Sequence, residues 1–82
     1  MRHGQHDTAD AILRLQSLRD CCDELSDFRA VAADLSMIRG ECEYMLTEYE
    51  ARYRIASSAD FALIERLEYL LLVLDADCRP LE

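Results

Sequence analysis

The amino-acid sequence predicts an all-α protein, an antiparallel helical hairpin or three-helix bundle with coiled-coil-like packing. Three observations carry that expectation. The strongest helix breakers occur only at Gly4, Gly40 and Pro80, and the β-branched residues that favour strands are few: Thr8, Ile12, Val31, Ile38, Thr47, Ile55, Ile64 and Val73. Apolar residues instead recur in steps of three and four, the spacing of one helix face. Finally, 82 residues with 51% apolar content suit one compact domain, 1–82, and leave no room for a second.

The first helix is expected over about residues 8–25. Thr8 is suited to its N-cap and Asp10 to the positive end of its dipole, which leaves residues 1–7 as a flexible N-terminal tail. From Thr8 on, a seven-residue reading puts Leu18, Leu25, Ala32, Leu46 and Tyr53 at one core position. Cys21, Phe28, Leu35, Cys42 and Tyr49 take the other, and Arg39 is the one misfit. Val31, Ile38 and Met45 widen the stripe on a flanking position, which suits a bundle better than an isolated zipper.

An unbroken helix from Thr8 to Tyr53 would run about 46 residues and roughly 69 Å, with half its seam unpartnered in so short a chain. A bend is therefore expected at Ser26, which with Asp27 caps a second helix over about 27–53; the alternative site is the propensity dip at Asp34, Ser36 and Gly40. The pattern lapses after Arg54. Ser57, followed three residues later by Asp60, has the spacing of a capping box with Asp in place of Glu. A third helix over about 58–77 follows, before Pro80 removes a backbone donor.

Nine Arg and no Lys stand against 17 acidic residues, a net charge of -8. That balance argues against direct binding to nucleic acid or to an anionic membrane surface, and the missing Lys excludes Schiff-base and P-loop chemistry. No apolar run approaches the roughly 18 residues of a membrane span. The first residues lack the apolar stretch of a signal peptide, so a cytoplasmic location and free thiols are expected.

Little in the sequence points to catalysis or to a cofactor. The two histidines, His3 and His6, both lie in the expected tail, so a nucleophilic triad would have to recruit that tail. Acidic pairs such as Glu41 and Glu43, Glu48 and Glu50, or Asp75 and Asp77 are two apart and point about 200° from each other on a helix. Such pairs share neither a proton nor a metal. Cys21, Cys22, Cys42 and Cys78 lack the short Cys-x-x-Cys knuckle of a zinc site, and three of them fall on apolar seams as small hydrophobes. Acids four residues before an Arg (Asp10 and Arg14, Glu48 and Arg52, Glu50 and Arg54, Asp75 and Arg79) read as helix-surface pairs.

The distinctive feature is the last helix. Ile64, Leu67, Leu71, Leu74 and Cys78 make one complete core stripe, and Leu63, Leu70 and Val73 lie on an adjoining face. Phe61, Tyr69 and Leu72 spread the apolar surface further. A helix apolar around most of its circumference needs neighbours on most sides, and two partner helices in a small domain give limited cover. The expected interface is therefore Phe61, Leu63, Ile64, Leu67, Leu70, Leu71, Val73 and Leu74, and a charge at Leu70 or Leu71 is expected to break it. Tyr44, outside the seam in a segment rich in Tyr and Arg, joins as a candidate contact residue.

These features predict a non-catalytic protein–protein interaction module, an adaptor, small chaperone or assembly factor. It would form a homodimer or dock its apolar C-terminal helix on a larger protein. Two alternatives stay open: an acidic inhibitor that blocks the basic groove of a nucleic-acid-binding protein, and a cysteine-based metal or thiol-redox protein. No catalytic, cofactor-binding or metal residue is assigned.

Overall fold

The computed structural model describes residues 5–26 and 32–78, with side chains from Thr8 to Ser26 and from Ala32 to Ala76. Three helices make up the fold: α1 (Gln5–Glu24), α2 (Ala32–Arg52) and α3 (Ser58–Cys78). No strand occurs among the described residues. Arg39 of α2 reaches Asp23 near the end of α1, while Arg19 reaches Glu43, so these two helices run antiparallel. Arg14 meets Phe61 and Glu68, and Cys21 lies across from Asp75, so α3 runs parallel to α1. The result is an up-down-up bundle in which α1 packs against both of the others.

Each helix supplies its own stripe at helical spacing. Ala11, Leu15, Leu18 and Cys22 come from α1, Leu35, Ile38, Cys42, Met45, Leu46 and Tyr49 from α2, and Ile64, Leu67, Leu71 and Leu74 from α3. Ile12, Leu25, Phe61, Leu63 and Leu70 pack around this core. Ala56 is buried with them and holds the α2–α3 connection against the bundle.

Four local expectations are corrected. First, α1 begins at Gln5, so Thr8 lies inside the helix and is not its N-cap. Its hydroxyl donates to the Arg54 carbonyl at 3.0 Å, tying α1 to the α2–α3 connection. Of the tail expected over 1–7, Gln5 to Asp7 are helical, and residues 1–4 lie outside the described residues. Second, of the seam expected on α1, Leu18 is buried and Leu25 half-buried, but Cys21 is exposed and Leu15 and Cys22 carry the face in its place. One heptad frame cannot run through the bend, because each helix turns its face to the neighbours it meets.

Third, the chain turns at Ser26 as expected, and the Ser26 side chain serves the end of α1. Its N–H and its hydroxyl both donate to the Asp23 carbonyl, at 3.2 and 2.7 Å, one of the carbonyls a helix end leaves without a partner. A start of the second helix at residue 27, and the seam position Phe28, lie outside the described residues. Fourth, α2 ends at Arg52, and Tyr53 stands in the left-handed region with φ 52. That residue leaves the seam and is 86% exposed. Gly40 does not break α2, which runs through it.

The capping box is present. The Ser57 N–H donates to Asp60 Oδ2 at 3.1 Å, and the Asp60 N–H donates back to Ser57 Oγ at 3.3 Å. The Ser57 carbonyl then accepts from the Phe61 N–H at 3.0 Å, as the first bond of α3. Burial alone would raise the Asp60 carboxyl. The Ser57 N–H, the neighbouring Tyr49 and Ser57 hydroxyls and the Arg54 guanidinium outweigh it and hold the group below its ordinary 3.8.

A candidate protein-binding surface on α3

The nine residues expected at an interface fall into three environments. Ile64, Leu67, Leu71 and Leu74 are buried within the chain's own core, and Phe61, Leu63 and Leu70 are half-buried against it. Val73 and Tyr44 are exposed. The side chain of Cys78, the last residue of the expected stripe, lies outside the described ones. A charge at Leu71 would therefore strike the core of the monomer before any interface.

What remains open on α3 is a different set. Tyr69 is 64% exposed, Leu72 68% and Val73 39%. Successive residues turn by about 100° on a helix. Tyr69 and Val73 therefore project away from the face made by Ile64, Leu67 and Leu71, and Leu72 sits on the edge towards α1. Leu63 and Leu70, on the other edge, are half-buried against the core. Tyr44 lies on the outward face of α2 one heptad after Met37, which is also exposed, on a separate helix from the α3 patch.

Between α1 and α3 runs an open cleft of about 560 Å³. Leu18 and Leu71 form its floor, Leu25 and Leu72 its apolar sides. Among the described residues, the charged ones lining it are acidic: Glu24 from α1 and Glu68 and Asp75 from α3. Glu68 accepts two hydrogen bonds from Arg14, Nε to Oε2 at 3.0 Å and Nη2 to Oε1 at 2.6 Å. The same guanidinium lies over the Phe61 ring, 5.7 Å from its centre. Cys21 also lines the cleft, and burial first, then the charges of Glu24, Asp20 and Asp75, push its thiol above the ordinary value.

The polar pairing elsewhere differs in part from the helix-surface pairs expected. Glu48 and Arg52 do pair, at 3.5 Å. Arg14 is committed across the bundle to Glu68, and Arg54, beyond the end of α2, pairs with Asp60 at 3.3 Å and lies over the Tyr49 ring. Arg39, the misfit of the seam, is exposed and bridges Asp23 at 2.7 Å and Glu43 at 3.6 Å. Arg79 lies outside the described residues.

Two cysteines are core residues. Burial pushes the Cys22 thiol up to about 11 and the Cys42 thiol up to about 12, with nearby negative groups adding to both. Neither is poised as a thiolate. Among the described residues, no group of three His, Cys, Asp or Glu is placed to hold a metal ion, and no helix is long and apolar enough to cross a membrane.

The cleft is what reasoning from sequence missed. Glu24, Glu68 and Asp75 are unremarkable on their own helices and become a rim only when α1 and α3 lie side by side. A signal for the open α3 patch did exist, since Tyr69 and Val73 lie far around the helix from the Ile64 stripe. Compared with protein-family models, curated proteins and solved structures, the chain matches none.

Proposed function

We propose that this chain is a non-catalytic protein–protein interaction module of the adaptor, small-chaperone or assembly-factor kind, and that its contact surface is the outward face of α3. The observation that carries this reading is the run of Tyr69, Leu72 and Val73, exposed together on a helix whose other faces are packed. Fully burying a large apolar side chain stabilises by about 1.5–3 kcal/mol. Tyr69 and Leu72, about two-thirds exposed, and Val73, 39% exposed, would each gain part of that on pairing, a notable sum beside the roughly 5 kcal/mol of a marginal domain. The first partner is a second copy, paired face to face about a two-fold axis.

An acidic inhibitor of a basic groove has less support. The acids are spread over all three helices, and several are held by the chain's own arginines: Glu68 by Arg14, Asp23 by Arg39 and Asp60 by Arg54.

Equilibrium sedimentation of the wild type beside a Tyr69→Ser, Val73→Ser double variant tests the proposal. The wild type should self-associate and the variant should do so at least about tenfold more weakly, with unchanged helical circular dichroism. Equal association constants would contradict it.

A further inference from the structure

We infer that the outward face of α2 is a second contact surface and receives an amphipathic helix of a different protein. A large apolar side chain of that helix sits over Gly40, and its basic side chains lie beside Glu41 and Glu50. This rests on the interaction reading above and adds to it a surface separate from the α3 face.

The face is defined by spacing. Ala33, Met37, Gly40, Tyr44, Thr47 and Ala51 alternate steps of four and three along α2, the a and d spacing of a coiled-coil seam, and every one is exposed and uncharged. Met37 is 52% exposed and Tyr44 64%. The Thr47 hydroxyl donates back to the Glu43 carbonyl at 2.9 Å, so it asks nothing of a partner. The core stripe of Ile38, Cys42, Met45 and Tyr49 lies on the opposite side of the same helix. The helix therefore carries two seams, and the chain fills one.

Gly40 lies near the middle of the open seam. A Cβ there would meet nothing within 4 Å, and glycine weakens a helix interior relative to alanine, so the fold itself gives this glycine no role. A docked helix does. Met37, Gly40, Glu41 and Tyr44 stand at i, i+3, i+4 and i+7, the four corners of a knob-receiving hole. Two corners are apolar, one is acidic and one has no side chain. A partner's knob can reach the backbone at Gly40 and pack between Met37 and Tyr44.

Charge chooses the partner. Glu43 and Glu48 are held by the chain's own arginines, but no described residue pairs with Glu41 or Glu50. These two flank the seam on opposite edges and favour basic residues beside the knobs. A second copy of α2 would bring the same acids to the same edges, with Glu41 close to its own copy in an antiparallel pair. The basic residues of α2, Arg39 and Arg52, are committed to Asp23 and Glu48.

The probe is a synthetic helix of about 18 residues, the length that spans Ala33 to Ala51, with Leu at heptad positions a and d and Lys at e and g. Its controls carry Glu for Lys or Ser for Leu. Binding is followed by fluorescence anisotropy. It is located by peroxide oxidation of Met37, read by mass spectrometry against Met45, which is buried.

The cationic peptide should bind and, at saturation, slow Met37 oxidation at least about tenfold, both controls should fail, and affinity should fall with rising salt. Gly40→Gln should melt no lower than the wild type yet bind the peptide at least about tenfold more weakly, because the added side chain fills the hole. Tyr44→Ser should weaken binding to the same degree, and Glu41→Gln with Glu50→Gln about fivefold. Tyr69→Ser should leave binding unchanged. Binding that survives Gly40→Gln, that the Glu control shares or that leaves Met37 oxidation unaltered would overturn the inference, as would self-association that depends on Tyr44. If no peptide binds while self-association depends on Tyr69, the α2 assignment fails and the α3 reading stands. If both are absent, both fail.

Discussion

Ser57 and Asp60 show how much a pair of residues can decide. Their reciprocal hydrogen bonds satisfy two backbone donors at the start of α3, and removing such a cap costs about 1 kcal/mol. Ser57→Ala is expected to lower unfolding free energy by that amount in urea titration. The cap also carries a pH dependence. Because the folded Asp60 carboxyl lies below 3.8, its contribution is complete above that pH and disappears as the pH falls through the lowered value. The Ser57→Ala difference should therefore shrink in acid.

Gly40 is placed where the chain has no need of glycine, and glycine is missing at Tyr53, where it would help. A Cβ at Gly40, inside α2, would meet nothing within 4 Å, and Ala is favoured over Gly in a helix by about 1 kcal/mol. Tyr53, just past the end of α2, holds φ 52, a conformation glycine adopts without steric cost. Gly40→Ala and Tyr53→Gly are each expected to raise the unfolding free energy by about 0.5–1 kcal/mol, read as a higher urea midpoint. The Ser57 box could be read from sequence because both partners are three residues apart. The left-handed turn at Tyr53 could not, because a heptad frame continues through any residue until geometry stops it.

At the scale of elements, α1 is tied to α3 by a side chain as well as by packing. Arg14 makes a bidentate pair with Glu68 and covers Phe61. Both partners are about one-third exposed, 30% and 37%, so screening limits the contribution to about 0.5–1 kcal/mol. Arg14→Leu should cost about that much at low salt and less at high salt, in denaturant titrations at two ionic strengths. The i, i+4 rule assigns Arg14 to Asp10 because it considers one helix at a time, and no single-helix rule foresees Glu68.

Leu71 and Leu72 test the division between core and surface most sharply. Leu71 is 6% exposed and Leu72 68%. Leu71→Ala should destabilise by about 2–5 kcal/mol, whereas Leu72→Ala should stay within about 0.5 kcal/mol in dilute monomer, as thermal melts would show. The core stripe from Ile64 to Leu74 was legible from steps of three and four. Which flank of α3 stays open depends on where α1 and α2 lie, and the stripe does not encode that.

For the whole molecule, an all-helical bundle of three elements followed from scarce breakers and helical spacing, and the third helix lies within one residue of its expected bounds. Its polar organisation did not follow, since Arg14 and Arg39 reach across the bundle and Arg54 ties the α2–α3 connection to α3. Pairing of two chains of net charge -8 through α3, as proposed, is expected to tighten as salt screens their repulsion.

Light scattering behind a sizing column, in reducing buffer and across the micromolar range, tests that claim most directly. The account predicts a mass rising from the 9.5 kDa of one chain towards about 19 kDa for a symmetric pair, and more completely at higher salt. A mass of 9.5 kDa at every concentration and ionic strength would contradict it: Tyr69, Leu72 and Val73 would then be ordinary exposed residues.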